Sequence, residues 1–377
     1  MLILVTGASG FAGSRLVPRL LSDGHRVRAL ARDPTRVDVA GIMSNFLDAN
    51  ARAYTRARSD ERMDMDMPEV FAGDVLTGDG LARALRGVDV AYYLIHSMER
   101  ARGQDSPFPE RERIAAENFA AAASRAGVPR LVYLGGPTAS WTTAGAHAGE
   151  RCGGGNCGEP ASRFTRGHAG SREALDGERH DVLSPHLRSR EAVERILRNA
   201  VPDTVALRAS IVIGARSRSF RFLVRLVERM PVLALPAWHT HRTRPIDARD
   251  VIDMLAAAAT VTAATGRSLD VGGPDILSYG EMIRRIAELL LLARPAVEMG
   301  VSGTPLTARV AAAITGEDRE FVSALMASLQ SDLLPGGPDG SSHLRTAAML
   351  GVDLHSFDSA VERSLREWES IEELAAR

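Results

Sequence analysis

The 377-residue chain contains no lysine, so all 46 of its basic side chains are arginine. Schiff-base chemistry, a lysine-bearing phosphate loop and any lysine acid or base are thereby excluded, because a guanidinium stays protonated near neutral pH. Cysteine is nearly absent. Cys152 and Cys157 alone cannot make a disulfide framework or a cysteine-rich metal domain. With His147 and His168 they offer zinc donors, but CGGGNC is not a CxxC pair and no second pair exists, so no metal is expected. No apolar run approaches the ~20 residues needed to cross a bilayer, and no membrane partner is expected. A formal charge of −1 gives no reason to expect nucleic acid. Residues 1–3 enter an apolar run with no charged leader before them, which leads us to expect a cytoplasmic location.

What is present alternates regularly. Apolar runs at residues 2–6, 26–31, 70–73, 90–94 and 130–134 read as buried strands, and residues 12–22, 80–85 and 110–125 between them carry helical spacing. Such alternation implies a parallel sheet with right-handed crossovers. The rhythm resumes with a helix at 184–199, a strand at 204–209 and helices at 220–230 and 248–260. The expected fold is α/β: a Rossmann-type doubly wound parallel sheet over residues 1–265, then a smaller, mostly helical C-terminal subdomain at 266–377 on the substrate side. Two segments interrupt the pattern. Residues 38–69 are polar and mixed in charge and read as an insertion over the sheet edge; residues 135–181, rich in Gly, Ser, Thr, Arg and His, read as a loop or lid.

The sharpest motif is TGASGFAG at residues 6–13, directly after an apolar strand and directly before an amphipathic helix. Gly7 permits the tight turn, Gly10 lets the backbone approach a pyrophosphate, and Gly13 lets the helix pack closely on the strand. The helix N-terminus adds free amides and a partial positive charge. Thr6, Ser9, Phe11 and Ala12 complete this dinucleotide loop. The second strand ends in VRALARDP. An acid there serves the ribose 2′-hydroxyl of NAD, whereas a guanidinium suits a 2′-phosphate. Arg32 favours NADP(H) over NAD(H), while Asp33, one step later, keeps the ribose acid open as an alternative.

TGASGFAG, VRALARDP, GDV at 73–75 and YYLIHSM at 92–98 together resemble the short-chain dehydrogenase/reductase superfamily, and most closely its atypical, NmrA-like and NAD(P)H-binding oxidoreductase-like members. LVYLGG at 131–136, LSPHLRSREAVERIL at 183–197, LRASIVIG at 207–214 and RPIDARDV at 244–251 extend the likeness. The resemblance implies that Asp74 and Val75 sit against the adenine ring, and that Leu94, Ile95 and His96 line the path from ribose toward nicotinamide. On the residues alone, Asp74 can equally cap a turn, Leu94 and Ile95 can be core, and His96 can be a plain strand-end histidine.

At the chemistry the chain departs from that superfamily. Typical members place a tyrosine four residues before a lysine on one helix face, with a serine at the end of the preceding strand. Here lysine is missing and the strand end reads Gly135-Gly136. In the matching place stand His186 and Arg190 at the same spacing, which leads us to expect His186 as general acid and Arg190 as the cation that positions ribose or substrate. Their bland alternative is the solvated first turns of a surface helix. Tyr93, His96 and Trp238 are expected to line the pocket, and WHTHRTR at 238–244 offers charge and stacking to a planar anion or else a solvated basic loop. The expected activity is NADP(H)-dependent reduction or dehydrogenation of a small carbonyl, enone or quinone-like compound, as in natural-product tailoring. The alternatives are a non-catalytic nucleotide sensor and a cofactor-binding isomerase, dehydratase or cyclase.

Overall fold

In the computed structural model, the described residues are 1–44, 67–96, 108–141, 183–300, 305–336 and 340–370. Seven strands form the central sheet: β1 (Leu2–Thr6), β2 (Arg26–Ala31), β3 (Glu69–Ala72), β4 (Val90–Tyr93), β5 (Arg130–Gly135), β6 (Val205–Ala209) and β7 (Ser268–Val271). Every pairing is parallel and the order is β7-β6-β5-β4-β1-β2-β3. The chain thus winds outward in both directions from β1, and strand order reverses between β1 and β4, the point at which open α/β sheets bind ligands.

Successive strand residues face opposite layers, so near-continuous apolar strands bury both faces. Ile3, Val5, Val90 and Tyr92 join a core with helices α1 (Gly13–Ser22) and Ala248–Ala258; Leu4, Ala91 and Tyr93 join the opposite core. Two long helices build that second layer: α2 (Phe108–Arg125) and α3 (Pro185–Ala200), which pack on each other. Along α2, Ala115, Ala116, Phe119, Ala122 and Ala123 make a small-residue face that allows close approach. Ser184 caps α3, its hydroxyl accepting from the Leu187 amide at 3.3 Å, and Pro185 occupies the first helical position.

A further core lies beyond the sheet. Phe220, Leu223, Val224 and Val227 of helix Arg218–Arg229 pack with Tyr279, Met282, Ile283 and Ile286 of helix Tyr279–Leu289 and with Phe357, Val361, Leu365 and Trp368 of helix Phe357–Glu369. This core draws on residues 211–238 as well as the C-terminal helices, while the sheet takes β7 from beyond residue 265. The expected division at 265/266 is therefore crossed in both directions. Most of the insertion expected at 38–69, and of the segment expected at 135–181 with Cys152, Cys157, His147 and His168, lies outside the described residues. No described helix is long and apolar enough to cross a membrane. Among the described residues, no group of His, Cys, Asp and Glu is arranged to hold a metal ion.

Candidate active site

The loop between β1 and α1 lies at the switch point. Gly7 has φ +65°, and a side chain there would crowd the Leu94 carbonyl oxygen at 3.1 Å. A Cβ on Gly13 would run into the Gly7 oxygen and lie 2.7 Å from Ala8 Cα, so the helix can start this close to the strand only with glycine. The Gly10 amide donates back to the Gly7 oxygen at 2.8 Å, closing the turn. The amides of Phe11, Ala12 and Gly13 then have no acceptor among the described residues, and Ala12 brings no side-chain cap. Bare amides at a helix start fit a diphosphate group. A cavity of about 310 Å³ adjoins them, with Ser9, Gly10, Phe11 and Ser14 on one side and Arg216, Arg221 and Trp368 on the other.

Other residues expected at the nucleotide are placed as follows. Arg32 is exposed just past the end of β2, while the Asp33 carboxylate accepts from the Thr35 amide at 3.0 Å and the Thr35 hydroxyl at 2.6 Å, capping the turn Pro34–Arg36. Thr6 is enclosed: its hydroxyl donates to the Tyr92 oxygen at 2.9 Å and accepts from the Leu94 amide at 3.2 Å, tying β1 to β4 in place of touching a ligand. Asp74 accepts from the Leu76 amide at 2.8 Å and so caps the turn after β3, and Val75 is buried in the core, not on an open adenine surface. Leu94 and Ile95 are half-buried beside Gly7 and lead into His96.

At the carboxyl ends of β4 and β5 a polar cluster is held by α2 and α3. His96 Nδ1 is 3.1 Å from Glu112 Oε1, and Ser189 Oγ donates to Glu112 Oε2 at 2.7 Å. Glu112 is 4% exposed. Burial alone would raise its carboxyl, but the His96 hydrogen bond, the Arg190 and His96 charges and the Ser189 hydroxyl outweigh it and bring it to about 2. Arg190 is turned inward. Its guanidinium donates to the Leu134 and Ile95 carbonyls, lies 3.6 Å from Glu112 Oε1 and covers the Tyr133 ring at 4.9 Å. In place of the outward role toward ribose expected for it, Arg190 joins β4, β5 and both helices.

The His186 ring centroid lies 4.9 Å from that of His96 and 5.8 Å from that of Phe108. Burial, the His96 ring and the Arg190 charge push its pKa down to about 3. Its Nδ1 is enclosed without a hydrogen-bond partner among the described residues. His186 is therefore an uncharged imidazole near neutral pH, unlike the charged donor expected from its position. At the strand end Gly136 lies against α3: a Cβ there would stand 3.3 Å from Leu187 Cδ2 and 3.8 Å from the Arg190 stem.

Two expected lining residues are core instead. Tyr93 points into the α2–α3 layer, with its ring centroid 5.1 Å from that of Phe119, and Trp238 packs edge-on against Tyr279. Neither presents a surface to a substrate. The basic segment around Trp238 is consumed by the fold: His239 and His241 use Nδ1 on the carbonyls of Pro236 and Leu329, Arg242 pairs with Asp332, and Arg244 donates to the Gly273 and Pro274 carbonyls. Sequence reasoning missed Glu112, Ser189 and Phe108. A signal existed for Glu112, because it precedes Ala115, Ala116 and Phe119 at helical spacing and so puts a carboxylate on the buried face of α2.

The sequence pattern of the NAD dependent epimerase/dehydratase family matches residues 3–272. A 3 beta-hydroxysteroid dehydrogenase/Delta 5→4-isomerase from Mycobacterium tuberculosis is 31% identical over 137 residues, 35% of this chain and 30% of that protein. The match thus spans about a third of the relative's length. A dihydroflavonol 4-reductase from Zea mays is 63% identical over 35 residues, 9% of this chain and 10% of that protein. Among solved structures, a UDP-glucuronic acid 4-epimerase from Bacillus cereus, in complex with NAD, superimposes with TM-score 0.59 at 18% identity, covering 99% of this chain and 100% of that one. At that identity the likeness is one of fold. The narrower NmrA-like resemblance rests on sequence alone, but the glycine loop, the seven-strand sheet and the span of the match agree: the chain belongs to the NAD dependent epimerase/dehydratase family, within the short-chain dehydrogenase/reductase superfamily.

Proposed function

We propose that the protein is an NADP(H)-dependent oxidoreductase that interconverts a small, largely apolar alcohol and its carbonyl, enone or quinone-like counterpart. The observation that carries this reading is the unpaired row of amides at Phe11, Ala12 and Gly13, facing the switch point beside the polar cluster at His96. The bound dinucleotide supplies a hydride donor or acceptor at its nicotinamide. The loop amides take the diphosphate, and Arg216 and Arg221 across the cavity add positive charge. Arg32 takes the 2′-phosphate, because Asp33 already spends its carboxylate on Thr35. His186, uncharged, offers a hydrogen bond to the substrate oxygen, and Arg190 fixes the cluster from within.

Trp141, Leu183, Leu187 and Leu333 form a buried apolar cluster and present no surface to a substrate, so the apolar character assigned to the substrate rests on the named relatives. Those relatives are named for 3 beta-hydroxysteroid and dihydroflavonol chemistry, which sets the substrate panel. The test is NADPH oxidation with a panel of ketones, dihydroflavonols and quinones, and NADP⁺ reduction with 3β-hydroxysteroids. Turnover with at least one probe is expected. Nucleotide binding without turnover across the panel would instead make the protein a sensor. Product formation without net nucleotide consumption would make it an epimerase- or dehydratase-type enzyme.

A further inference from the structure

Two imidazoles meet at the end of β4, and only one has a carboxylate. His96 follows directly on Leu94 and Ile95, which lie against Gly7, so it stands just past the segment on which the glycine loop packs beyond the end of β4. Its side chain is 37% exposed, whereas that of Glu112 behind it is almost fully enclosed. The contact from His96 Nδ1 to Glu112 Oε1, at 3.1 Å, is shorter than the 3.4 Å to the Arg190 guanidinium. A carboxylate can only accept. The assigned tautomer therefore carries its hydrogen on Nδ1, toward Glu112, and leaves a lone pair on Nε2. Nε2 has no partner among the described residues, and the 37% exposure of the side chain lies on a ring whose Nδ1 is turned to Glu112.

Glu112 is itself anchored. Ser189 donates to its second oxygen at 2.7 Å, and Arg190 stands 3.6 Å from the first. This is a carboxylate–imidazole pair with the carboxylate at the back, the arrangement that orients an imidazole and stabilises the imidazolium formed when its outer nitrogen takes a proton. His186 has no such backing, and its Nδ1 is shut away.

We propose that His96, oriented by Glu112, is the proton-exchanging group of the reaction, with Glu112 and Ser189 as positioning residues. The inference rests on the oxidoreductase reading above. In the oxidative direction the substrate O–H bond breaks, its proton goes to His96 Nε2, and its electron pair becomes the second bond of the carbonyl. The carbon's hydrogen leaves with its pair as hydride to the oxidised pyridine nucleotide, the co-reactant, and solvent takes the proton from His96. In reduction the same steps run backward. Among the described residues, the charged and titratable groups that face His96 are Glu112 from α2, His186 and Arg190 from α3, and Arg218 from the helix Arg218–Arg229. Desolvation of the side packed toward Glu112 and α3, with the Arg190 and Arg218 charges, favours the neutral ring, and Glu112 favours the charged one.

The test compares the wild type with His96→Gln, Glu112→Gln and Ser189→Ala. Calorimetry with NADP⁺ gives affinity, the panel above gives turnover, and ¹⁵N-resolved NMR of the histidine rings gives the His96 tautomer. His96→Gln is expected to lose ~10²-fold or more in kcat while its NADP⁺ affinity changes less than threefold. Glu112→Gln is expected to lower kcat and to move the acid limb of the oxidative kcat/KM profile to lower pH, since the charge that favours the imidazolium is gone. Ser189→Ala, which leaves both charges in place, keeps the fold and gives a smaller loss of the same kind. The NMR spectrum of the wild type is expected to show hydrogen on Nδ1 of His96, with no turnover needed to read it.

If the wild type binds NADP⁺ and turns over a probe while His96→Gln loses less than threefold, the inference is overturned and the oxidoreductase reading stands. A His96 ring bearing its hydrogen on Nε2 overturns the pair in the same way. A wild type that turns over no probe overturns the oxidoreductase reading, and the proton-exchange role falls with it.

Discussion

Glycine at position 13 is the residue on which nucleotide binding turns. A Cβ there would overlap the Gly7 oxygen and press on Ala8, backbone atoms that cannot swing aside. Gly13→Val is expected to cost ~1–3 kcal/mol of stability through overpacking. It is also expected to reduce dinucleotide affinity by at least about tenfold, as urea denaturation and calorimetry would measure. At Arg32 the expectation concerns cofactor choice alone. Arg32→Glu, at an exposed strand end, should weaken NADP⁺ while leaving NAD⁺ nearly unchanged; equal weakening of both would remove the 2′-phosphate role.

His186 links the site to acid stability. Its folded pKa, about 3, lies below the ordinary histidine value of 6.5, so the unfolded chain binds the proton more readily. The fold is then destabilised as pH falls below 6.5, progressively toward 3. Glu112 acts in the same direction over a lower range. Its folded pKa of about 2 lies below the usual 4.5, so the stability it contributes is full above about 4.5 and is lost as pH falls toward 2. His186→Gln is therefore expected to flatten the fall in unfolding free energy between pH 6.5 and 4 by on the order of 2 kcal/mol, with half-burial of the ring screening part of the shift. An unchanged slope in urea titrations would show that His186 is not held neutral.

At the scale of elements, the pairing of α2 with α3 decides whether the site exists. Glu112 on one helix, Ser189 and Arg190 on the other, and His96 on β4 share one hydrogen-bonded cluster. Glu112→Leu would leave the Arg190 guanidinium buried without its carboxylate and is expected to destabilise by roughly 3–5 kcal/mol. Glu112→Gln, which keeps a hydrogen-bonding side chain, should cost less. A Leu variant as stable as the Gln variant would mean that Arg190 is satisfied by the Leu134 and Ile95 carbonyls alone.

This level also marks where sequence reading succeeds and stops. Strand and helix placement was legible, because apolar runs and helical spacing are local properties: the run at 26–31 is β2, and the glycine loop falls between β1 and α1 as its spacing requires. Which side of a strand faces which layer is a pairing property. Tyr93 therefore looked like a pocket residue although its alternation with Tyr92 and Leu94 carries it into the helix layer. Arg190 was found by its spacing from His186, but its inward turn depends on Glu112, 78 positions earlier, and on carbonyls of two strands. The helix Ser342–Leu350 went unseen because Ser341 gives it no side-chain cap and its apolar residues form no long stripe.

For the whole molecule, the nucleotide cavity touches both the sheet and the second core. Trp368, 3% exposed, packs in that core and also walls the cavity opposite the glycine loop, with the Arg221 guanidinium 5.2 Å from its ring. Trp368→Ala is expected to destabilise by ~3–5 kcal/mol through loss of buried aromatic volume. It should weaken the nucleotide as well, because Arg221 loses the ring it rests on. A variant that loses stability but binds NADP⁺ as the wild type does would separate the second core from the nucleotide site.

The central claim is that the amides of residues 11–13 form a dinucleotide site, and isothermal titration calorimetry of the folded chain with NADP⁺ and NAD⁺ tests it most directly. Heat of association with both is expected, with NADP⁺ tighter by about tenfold, ~1.4 kcal/mol, and with the heat lost in Gly13→Val. A folded wild type that gives no heat with either nucleotide, oxidised or reduced, would contradict it.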